Sequence, residues 1–564
     1  MLKHRPLALW ITIFCAYPYG VFSQPDSTVF ICTELLGRPT DRSVTLNLCA
    51  DREIEIFVEY GTQPASYTDR TVTYSLQKNV PCDLLIDRLE PNRTYSYRVR
   101  YRPLDAKIFN GRVEHSFQTA KRRGVGFTFC VEADPHLDYN TDPDLYRLTL
   151  ANISKDQPDF LIDLGDSFMS DKVKQKTQDS ILYRHLLLRS FFADICHSMP
   201  LYLVLGNHEG EYGYWLNGTE NNLAVMASKT RLAYFPNPLP DLFYSANSIP
   251  EPFIGLRENY YAWEWGDALF VVLDPYWSTA SRQGDNWRYT LGKEQYDWFR
   301  DELAKSDAAF KFVFCHQIIG GQDTQGRGGS DVAQYYEMGG LNADSTWGFS
   351  EHRPGWELPL HQLMAKYHVN IFFHGHDHFY ARQEKDGIIY QLLPQPGFPG
   401  SSSINQAASF GYFTGQILPG SGYLRVAVAD TIARVEFVRS LLPAMESQEK
   451  KNGIIEQAYT LQAHRTSTKI HNNPDASAPF ALLQNYPNPF NFATTIFFRN
   501  DQAGLVAIDL FNRCGQKVKS ILHKPLPAGQ HSVSLDASAL PTGLYFYRIC
   551  SGKQIQIKKM IYQK

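Results

Sequence analysis

The stretch Phe372–Tyr380, FFHGHDHFY, places three histidines within five residues at the end of an apolar run that begins at Val369. A short apolar run bounded by turn residues is consistent with a buried strand. A His-rich tract is either a polar turn or part of a metal site, and the tract alone does not separate these two readings. The interpretation depends on whether residues of matching chemistry follow other apolar runs.

Five further apolar runs of this kind occur upstream, and each ends in Asp, His or the sequence Gly-Asn-His-Glu. Runs this apolar suit strands that are covered on both faces, and helical stretches such as residues 293–306 lie between them. The pattern therefore predicts an α/β fold, in which ligands bind outside the carboxyl ends of the strands. The residues at those ends are Asp134, His136, Asp166, Asn207, His208, His316, His376 and His378.

These residue types predict a metal centre. Mixtures of imidazole and carboxylate suit Zn, Fe and Mn. Asp134 and His136 are two residues apart, as are His376 and His378, so each pair is expected to point to one side of an extended segment. Asp166 lies centrally in the order and is the best candidate for a bridge between two cations, an arrangement that phosphatases and nucleases use.

The order D-x-H, GD, GNHE, H and GHxH, over residues 125–440, resembles the calcineurin-like metallophosphoesterase family. The resemblance implies a four-layer αββα sandwich that hydrolyses phosphate esters through a metal-bound hydroxide. It implies that His208 donates a proton or orients phosphate, and that Asn207 and His208 contact the substrate. The implied ligands are Asp134, His136, Asp166 and His378 for one metal, and Asp166, Asn207, His316 and His376 for the other.

One departure affects the metal. Purple acid phosphatases carry a tyrosine three residues after the bridging aspartate, whereas this chain has Met169 there, and His136 occupies the position expected in members that are not purple. We therefore expect no purple charge-transfer band, and combinations of Fe, Mn or Zn all fit. Residues 25–120 read as short alternating strands and resemble the fibronectin-III-like β-sandwich of those enzymes. The stretch 120–124, AKRRG, is the expected hinge.

The N-terminus reads as a signal peptide, residues 1–23, with a basic start and a short apolar run. A membrane anchor is the alternative, but the run is shorter than the roughly 20 apolar residues that span a bilayer. Export permits disulfides, and Cys514–Cys550 and a pair among Cys32, Cys49 and Cys82 are plausible, although sequence does not fix connectivity.

Residues 441–480 are expected to be an extension and linker. Residues 481–564, with the phrases NYPNPFN, AGQH and LPTGLYFYRI, resemble the C-terminal sorting domain of type IX secretion substrates. That resemblance implies a Gram-negative bacterium, the type IX secretion machinery as a partner, and a protein that is secreted or held at the outer cell surface. A small β-sandwich binding module is the alternative reading of this tail.

Together these features predict an exported phosphoesterase with two metal ions and a phosphate-ester substrate, and they favour phosphomonoesters. The alternatives are a diesterase acting on nucleotides or phospholipid headgroups, since the same metals serve both reactions, and a non-catalytic surface binding protein on the same scaffold. The binding protein would require the loss of a ligand, and none is missing. The net charge of −3 gives no reason to expect a nucleic-acid-binding patch, and no transmembrane helix is expected in the mature chain.

Overall fold

The computed structural model describes residues 29–464 and 481–563, apart from 138, 401, 402, 483, 484, 486, 487, 489, 491, 501, 513–515 and 553. The expected signal peptide, residues 465–480 of the expected extension and linker, and Cys514 lie outside the described residues.

Two β-sheets face each other across an aromatic core, and helices cover their outer faces. In the strand Phe127–Glu132, Phe129 and Val131 point into the layer between the sheets, while Cys130 packs against the outer helices. The strand Phe310–Phe314 alternates in the same way. This alternation confirms the α/β expectation and explains why both strands read as continuous apolar runs.

The first sheet has nine strands within the described residues. Phe127–Glu132, Phe160–Asp163 and Leu201–Leu203 run parallel at its centre, so their carboxyl ends lie at one edge. The edge strand Ile455–Gln462 comes from the stretch expected to be an extension. In order across the sheet the strands are Ile455–Gln462, Ile432–Arg439, Gly422–Val428, Phe127–Glu132, Phe160–Asp163, Leu201–Leu203, Phe30–Gly37, Val44–Ala50 and Pro81–Ile86.

The second sheet has eight strands in the part of the chain that the structure covers. Four neighbours in it are parallel, so their carboxyl ends also share an edge. In order, its strands are Ser245–Ala246, Tyr261–Trp265, Ala268–Val272, Phe310–Phe314, Ile371–His374, Ile388–Leu392, Tyr380–Lys385 and Gln416–Leu418.

The core between the sheets is a stack of aromatic rings. Phe129 contacts Phe160, Phe270 and Phe312, with ring centroids 5.5, 5.1 and 5.6 Å away. Removing such a ring costs about 3–5 kcal/mol of stability, because a cavity replaces its contacts. This layer fixes the distance between the sheets and therefore the position of the loops at their edges.

The helices form the outer layers. Pro143–Asp156 and Gln178–Phe192 cover the first sheet, and Lys293–Lys305 and Leu360–Lys366 cover the second. The remaining α-helices are Leu223–Tyr234, Tyr336–Gly339 and Phe349–His352, and the 3₁₀-helices are Ser170–Lys172, Gly213–Trp215, Asn286–Arg288, Ser330–Val332, Ile404–Gln406 and Pro443–Met445.

The N-terminal β-region shares a sheet with the α/β region that follows it. Its strand Phe30–Gly37 pairs in parallel with Leu201–Leu203, so three of its strands extend the nine-stranded sheet. Arg123, in the expected hinge, lies 2.9 Å from Glu264 and 2.7 Å from Asp307, which ties this stretch to the second sheet. The facing sheet contains Asp69–Arg70, Ile54–Gly61, Thr94–Pro103 and Asn110–Gly111, with Tyr74–Leu76 and His115–Gln118 paired at its sides.

The C-terminal region is a separate pair of sheets around its own apolar core, which includes Ile496, Ile508 and Tyr547. One sheet contains Ala481–Leu482, Ala493–Asn500 and Gly529–Asp536, and the other contains Lys517–Leu526, Gly504–Asn512, Gly543–Ser551 and Gln554–Tyr562.

The described cysteines are free thiols, including the cross-strand neighbours Cys32 and Cys49. Cys82 is free as well, so no pair among Cys32, Cys49 and Cys82 is bridged. The Cys514–Cys550 pair stays a prediction, because Cys514 lies outside the described residues.

Candidate metal centre

The predicted ligands lie in tight loops just beyond the strand ends, not on extended segments. Asp134, His136, Asp166, His376 and His378 all have left-handed backbone, with φ between 46° and 77°. The sequence predicts that Asp134 and His136, and likewise His376 and His378, point to one side of an extended segment. That prediction is wrong, because the backbone at these residues is left-handed rather than extended. Left-handed backbone in non-glycine residues costs of order 1–3 kcal/mol each and persists where the surroundings impose it, commonly at functional sites.

These loops bring four of the predicted ligands together. Asp134 Oδ1 lies 3.5 Å from His136 Nε2 and 3.4 Å from His378 Nε2. Asp166 Oδ2 lies 3.3 Å from His136 Nε2. We call Asp134, His136 and His378, with Asp166, the outer half of the centre; their ligand atoms lie within 4.8 Å of one another.

Asp166 also belongs to a second group. Its Oδ2 lies 3.2 Å from His316 Nε2, and the ligand atoms of Asp166, His316 and His376 again lie within 4.8 Å of one another. We call His316 and His376, with Asp166, the inner half, to which the sequence adds Asn207 as a predicted fourth ligand. One carboxylate is thus shared between two groups of potential ligands, as the sequence predicts for a bridging residue.

Several buried polar atoms of this cluster have no hydrogen-bond partner within the described chain. They include Asp134 Oδ1, Asn207 Oδ1 and His316 Nε2. Leaving buried polar atoms unpaired is costly, and such atoms call for an explanation. Carboxylate oxygen, amide oxygen and imidazole nitrogen are a donor set that Zn, Fe and Mn accept, so the residues present fit metal ions.

Backbone carbonyls orient the imidazoles of the inner half. His316 Nδ1 donates to the carbonyl of Leu164 at 2.8 Å, which leaves Nε2 as the acceptor nitrogen. His376 Nε2 donates to the carbonyl of Gln325 at 3.0 Å, which leaves Nδ1. Hydrogen bonds of this kind fix the tautomer and ring orientation of metal-binding histidines.

Mutual attraction shifts the pKa values of this cluster. Burial alone would raise the pKa of Asp134, but His316 and His378 outweigh it and hold that pKa below its usual range. Burial would lower the pKa of His136 and His316, but the neighbouring carboxylates raise them to about 9 and about 10. In the metal-free protein these imidazoles hold protons that a metal ion would displace.

Glu209 builds the loop that carries Asp166, a role that the sequence did not assign. Its carboxylate accepts hydrogen bonds from the backbone amides of Asp166 at 3.1 Å, Ser167 at 2.6 Å and Phe168 at 3.2 Å. Gly206 lies beneath this loop, where a Cβ atom would come within 2.3 Å of the Asp166 amide nitrogen. The GNHE motif therefore contributes backbone support as well as side chains to the centre.

His208 lies at the edge of the centre and is oriented by Asp171. Its Nδ1 is 3.0 Å from both carboxylate oxygens of Asp171, while its Nε2 is 3.8 Å from Asp166 Oδ2. The side chain of His208 is 18% exposed, in contrast to the fully buried His316. Sequence reasoning missed Asp171, because it follows the GD motif in a short 3₁₀ turn that no pattern of ligands marks.

The glycine-rich loop after His316 supports the centre from the side of His376. Arg327, in this loop, lies 3.2 Å from Asp323 and 3.4 Å from the buried Asp377. Asp377 in turn accepts hydrogen bonds from the Gly328 amide and the Tyr412 hydroxyl. In this arrangement Arg327 holds the loop in place.

Comparison with known proteins accords with this geometry. Residues 127–380 match the family of calcineurin-like phosphoesterases. The chain carries a calcineurin-like phosphoesterase domain. The matched segment contains every residue of the metal cluster, and the domain makes this protein a phosphoester hydrolase.

A solved structure shares the fold of this chain. A structure described as PhoD is 14% identical with a TM-score of 0.55, and the match covers 80% of this chain and 95% of that one. GAP50 of Plasmodium, described as the anchor in the inner membrane complex, is 14% identical with a TM-score of 0.33, over 61% and 90% of the two chains. No curated protein sequence matches this chain.

The C-terminal region has its own match. Residues 484–563 match the secretion system C-terminal sorting domain, which confirms the type IX sorting domain expected from the sequence. Such a domain implies secretion or attachment to the cell surface. Among the described residues, no helix is long and apolar enough to cross a bilayer.

Proposed function

We propose that this protein is an exported phosphoesterase that uses two metal ions and prefers phosphate monoesters. One observation carries the proposal: side chains from separate strand ends of two sheets meet around a single shared carboxylate, Asp166, and leave buried acceptor atoms unpaired. The calcineurin-like phosphoesterase domain supplies the reaction class.

The cluster divides into two ligand sets. Bound there, two cations would supply positive charge to the phosphoryl oxygens and lower the pKa of an attacking water. Asp166 would contact both ions. The outer set is Asp134, His136, Asp166 and His378, and the inner set is Asp166, Asn207, His316 and His376.

His208 is suited to deliver a proton to the departing oxygen. Asp171 accepts the hydrogen on Nδ1 and directs Nε2 toward the centre. The side chain of His208 is 18% exposed, so solvent reaches this imidazole, unlike the buried His316. A positioned histidine acting in this way contributes roughly 10²–10⁴-fold to a rate.

His208→Ala tests the assignment. We expect the rate on p-nitrophenyl phosphate to decrease by roughly 10²–10⁴-fold. The metal content, measured by elemental analysis, should not change. Asp171→Asn should lower the rate less, because it removes orientation and leaves the imidazole in place. His464→Ala, which changes an exposed histidine stacked on His368, is the matched control and should keep full activity.

Comparing p-nitrophenyl phosphate with bis-p-nitrophenyl phosphate decides between a monoesterase and a diesterase. Equal activity of the wild type, His208→Ala and Asp166→Ala would refute the proposed mechanism. A protein that binds no metal and hydrolyses neither ester would instead be a binding protein on this scaffold.

A further inference from the structure

A cavity of about 290 Å³ lies beside His208, and the proposed mechanism does not use it. Asp171, which orients His208, forms part of its wall. The rest of the wall comes mainly from the aromatic insert between Asn207 and His316, including Tyr212, Tyr214 and Tyr289. The proton donor of the proposed reaction therefore shares its partner Asp171 with this cavity.

The opposite wall of the cavity is connected to the inner half of the centre. Tyr289 donates from its hydroxyl to the carbonyl of Thr324 at 2.8 Å, and Arg288 donates to the same carbonyl. The next carbonyl along the chain, that of Gln325, accepts from His376 Nε2. The lining of the cavity thus includes Asp171, which holds His208, and also Arg288 and Tyr289, which bond to the loop that holds His376.

Two arginines of this wall carry charge that no carboxylate neutralises within the described chain. Arg282 is exposed and stacks on Tyr214 and Trp215, with its guanidinium carbon 4.4 and 4.0 Å from the ring centroids. Arg288 bonds to the Gly284 and Thr324 carbonyls and to the Tyr289 hydroxyl. Asp171 is occupied by His208 at 3.0 Å and has Lys172 at 3.8 Å.

A hydroxyl group adds to this polar wall. Tyr212 lines the cavity, and its ring is held between Tyr214 and Tyr276, with centroids 4.4 and 4.8 Å away. No hydrogen bond to its hydroxyl is found among the described residues. Guanidinium and hydroxyl groups donate the hydrogen bonds that recognise phosphate and carboxylate, and Asp171, the carboxylate in the cavity lining, is already engaged by His208.

We propose that this cavity binds the leaving group of the substrate and selects leaving groups that carry a second anionic group, such as a second phosphate. This inference rests on the proposed function, because it places the departing oxygen on the side of His208. Attraction of the second anion by Arg282 and Arg288 would then position the ester for protonation. The small volume suits a short phosphorylated alcohol rather than a polymer.

Binding to unreactive analogues tests the subsite independently of turnover. Propane-1,3-bisphosphonate and propylphosphonate differ only in the second anionic group, and calorimetry on the metal-loaded full chain measures both. We expect the wild type to bind the bisphosphonate at least about tenfold more tightly than propylphosphonate. The second phosphonate can accept charge-assisted hydrogen bonds from the arginines, and propylphosphonate has no group that replaces it. That preference should decline as salt increases, because partly exposed charges are screened.

Arg282→Gln should remove most of this preference and leave propylphosphonate binding within about twofold of the wild type. Arg300→Gln, which changes a half-buried arginine paired with Asp297 and Asp301 on the helix Lys293–Lys305, is the control and should keep it. An analogue with a carboxylate in place of the second phosphonate shows which anion the subsite favours. The subsite is supported if either the carboxylate analogue or the bisphosphonate binds more tightly than propylphosphonate.

Equal affinity of the wild type for the two phosphonates would overturn the subsite, as would an equal loss for both ligands in Arg282→Gln. Failure of the proposed function has a different signature, namely no hydrolysis of propyl phosphate or 1,3-propanediol bisphosphate by the metal-loaded enzyme. The two outcomes are therefore read from separate measurements.

Discussion

The inner and outer halves of the metal centre share Asp166 but hold their imidazoles differently. In the inner half, His316 and His376 each donate a hydrogen bond to a backbone carbonyl. In the outer half, neither His136 nor His378 donates to a carbonyl in the part of the chain that is described, and the side chain of His378 is 20% exposed. The comparison indicates that backbone hydrogen bonds preorganise the imidazoles of the inner half. The imidazoles of the outer half are oriented mainly by their contacts with the carboxylates of Asp134 and Asp166.

The largest expected effect removes the residue common to both halves. Asp166→Ala should lose both metal ions and lower the rate by roughly a thousandfold or more, because several kcal/mol of charge stabilisation disappear. Elemental analysis and the p-nitrophenyl phosphate assay measure this outcome. Asp179→Ala, which changes an exposed carboxylate on the helix Gln178–Phe192, should retain both metals. If Asp166→Ala kept one ion at full affinity, the two halves would not depend on a shared ligand.

A smaller effect distinguishes the halves directly. Supporting hydrogen bonds to metal ligands change affinity by roughly 10–100-fold, so the inner ion should be held that much more tightly than the outer one. Titration with a chelator should remove the ions in two steps. His378→Ala should abolish the weaker step and keep the tighter one, whereas His316→Ala should do the reverse. If His378→Ala lost the tighter step instead, the inner half would not be the one that binds its ion more tightly.

The smallest expected effect is a dependence of metal uptake on pH. Each half contains one imidazole of raised pKa, His136 at about 9 and His316 at about 10, and metal binding must displace its proton. Affinity should therefore fall by up to about tenfold per pH unit for each proton as pH decreases below those values. Calorimetry in buffers of different ionisation enthalpy measures the protons released. A metal affinity that stays constant between about pH 6 and 8 would contradict the conclusion that metal binding displaces protons from His136 and His316.

The same raised values have a consequence for the metal-free fold. Because both folded pKa values exceed the unfolded imidazole value of about 6.5, their contribution to stability is complete below that pH. It is lost as pH rises through about 9 to 10.

Much of the centre could be predicted from the sequence, since each of its ligands follows an apolar run in a recognisable order. The supporting residues could not. Asp171 and Glu209 act through hydrogen bonds that depend on how two loops meet, and the spacing of neither residue reveals a partner. The arginines of the proposed subsite, Arg282 and Arg288, lie in a long insert, and no local sequence pattern marks them as neighbours of Asp171 in one cavity.

The amino-acid sequence by itself determined which chemistry this protein can perform, because the identity and order of the strand-end residues specify a set of metal ligands and a secretion tail. Only the tertiary structure decided how those ligands are presented. Left-handed loops, not extended segments, aim Asp134, His136, His376 and His378, since contacts between separate sheets impose a backbone conformation that local preference disfavours. Likewise, the union of the N-terminal strands with the nine-stranded sheet depends on pairing between residues far apart in the chain.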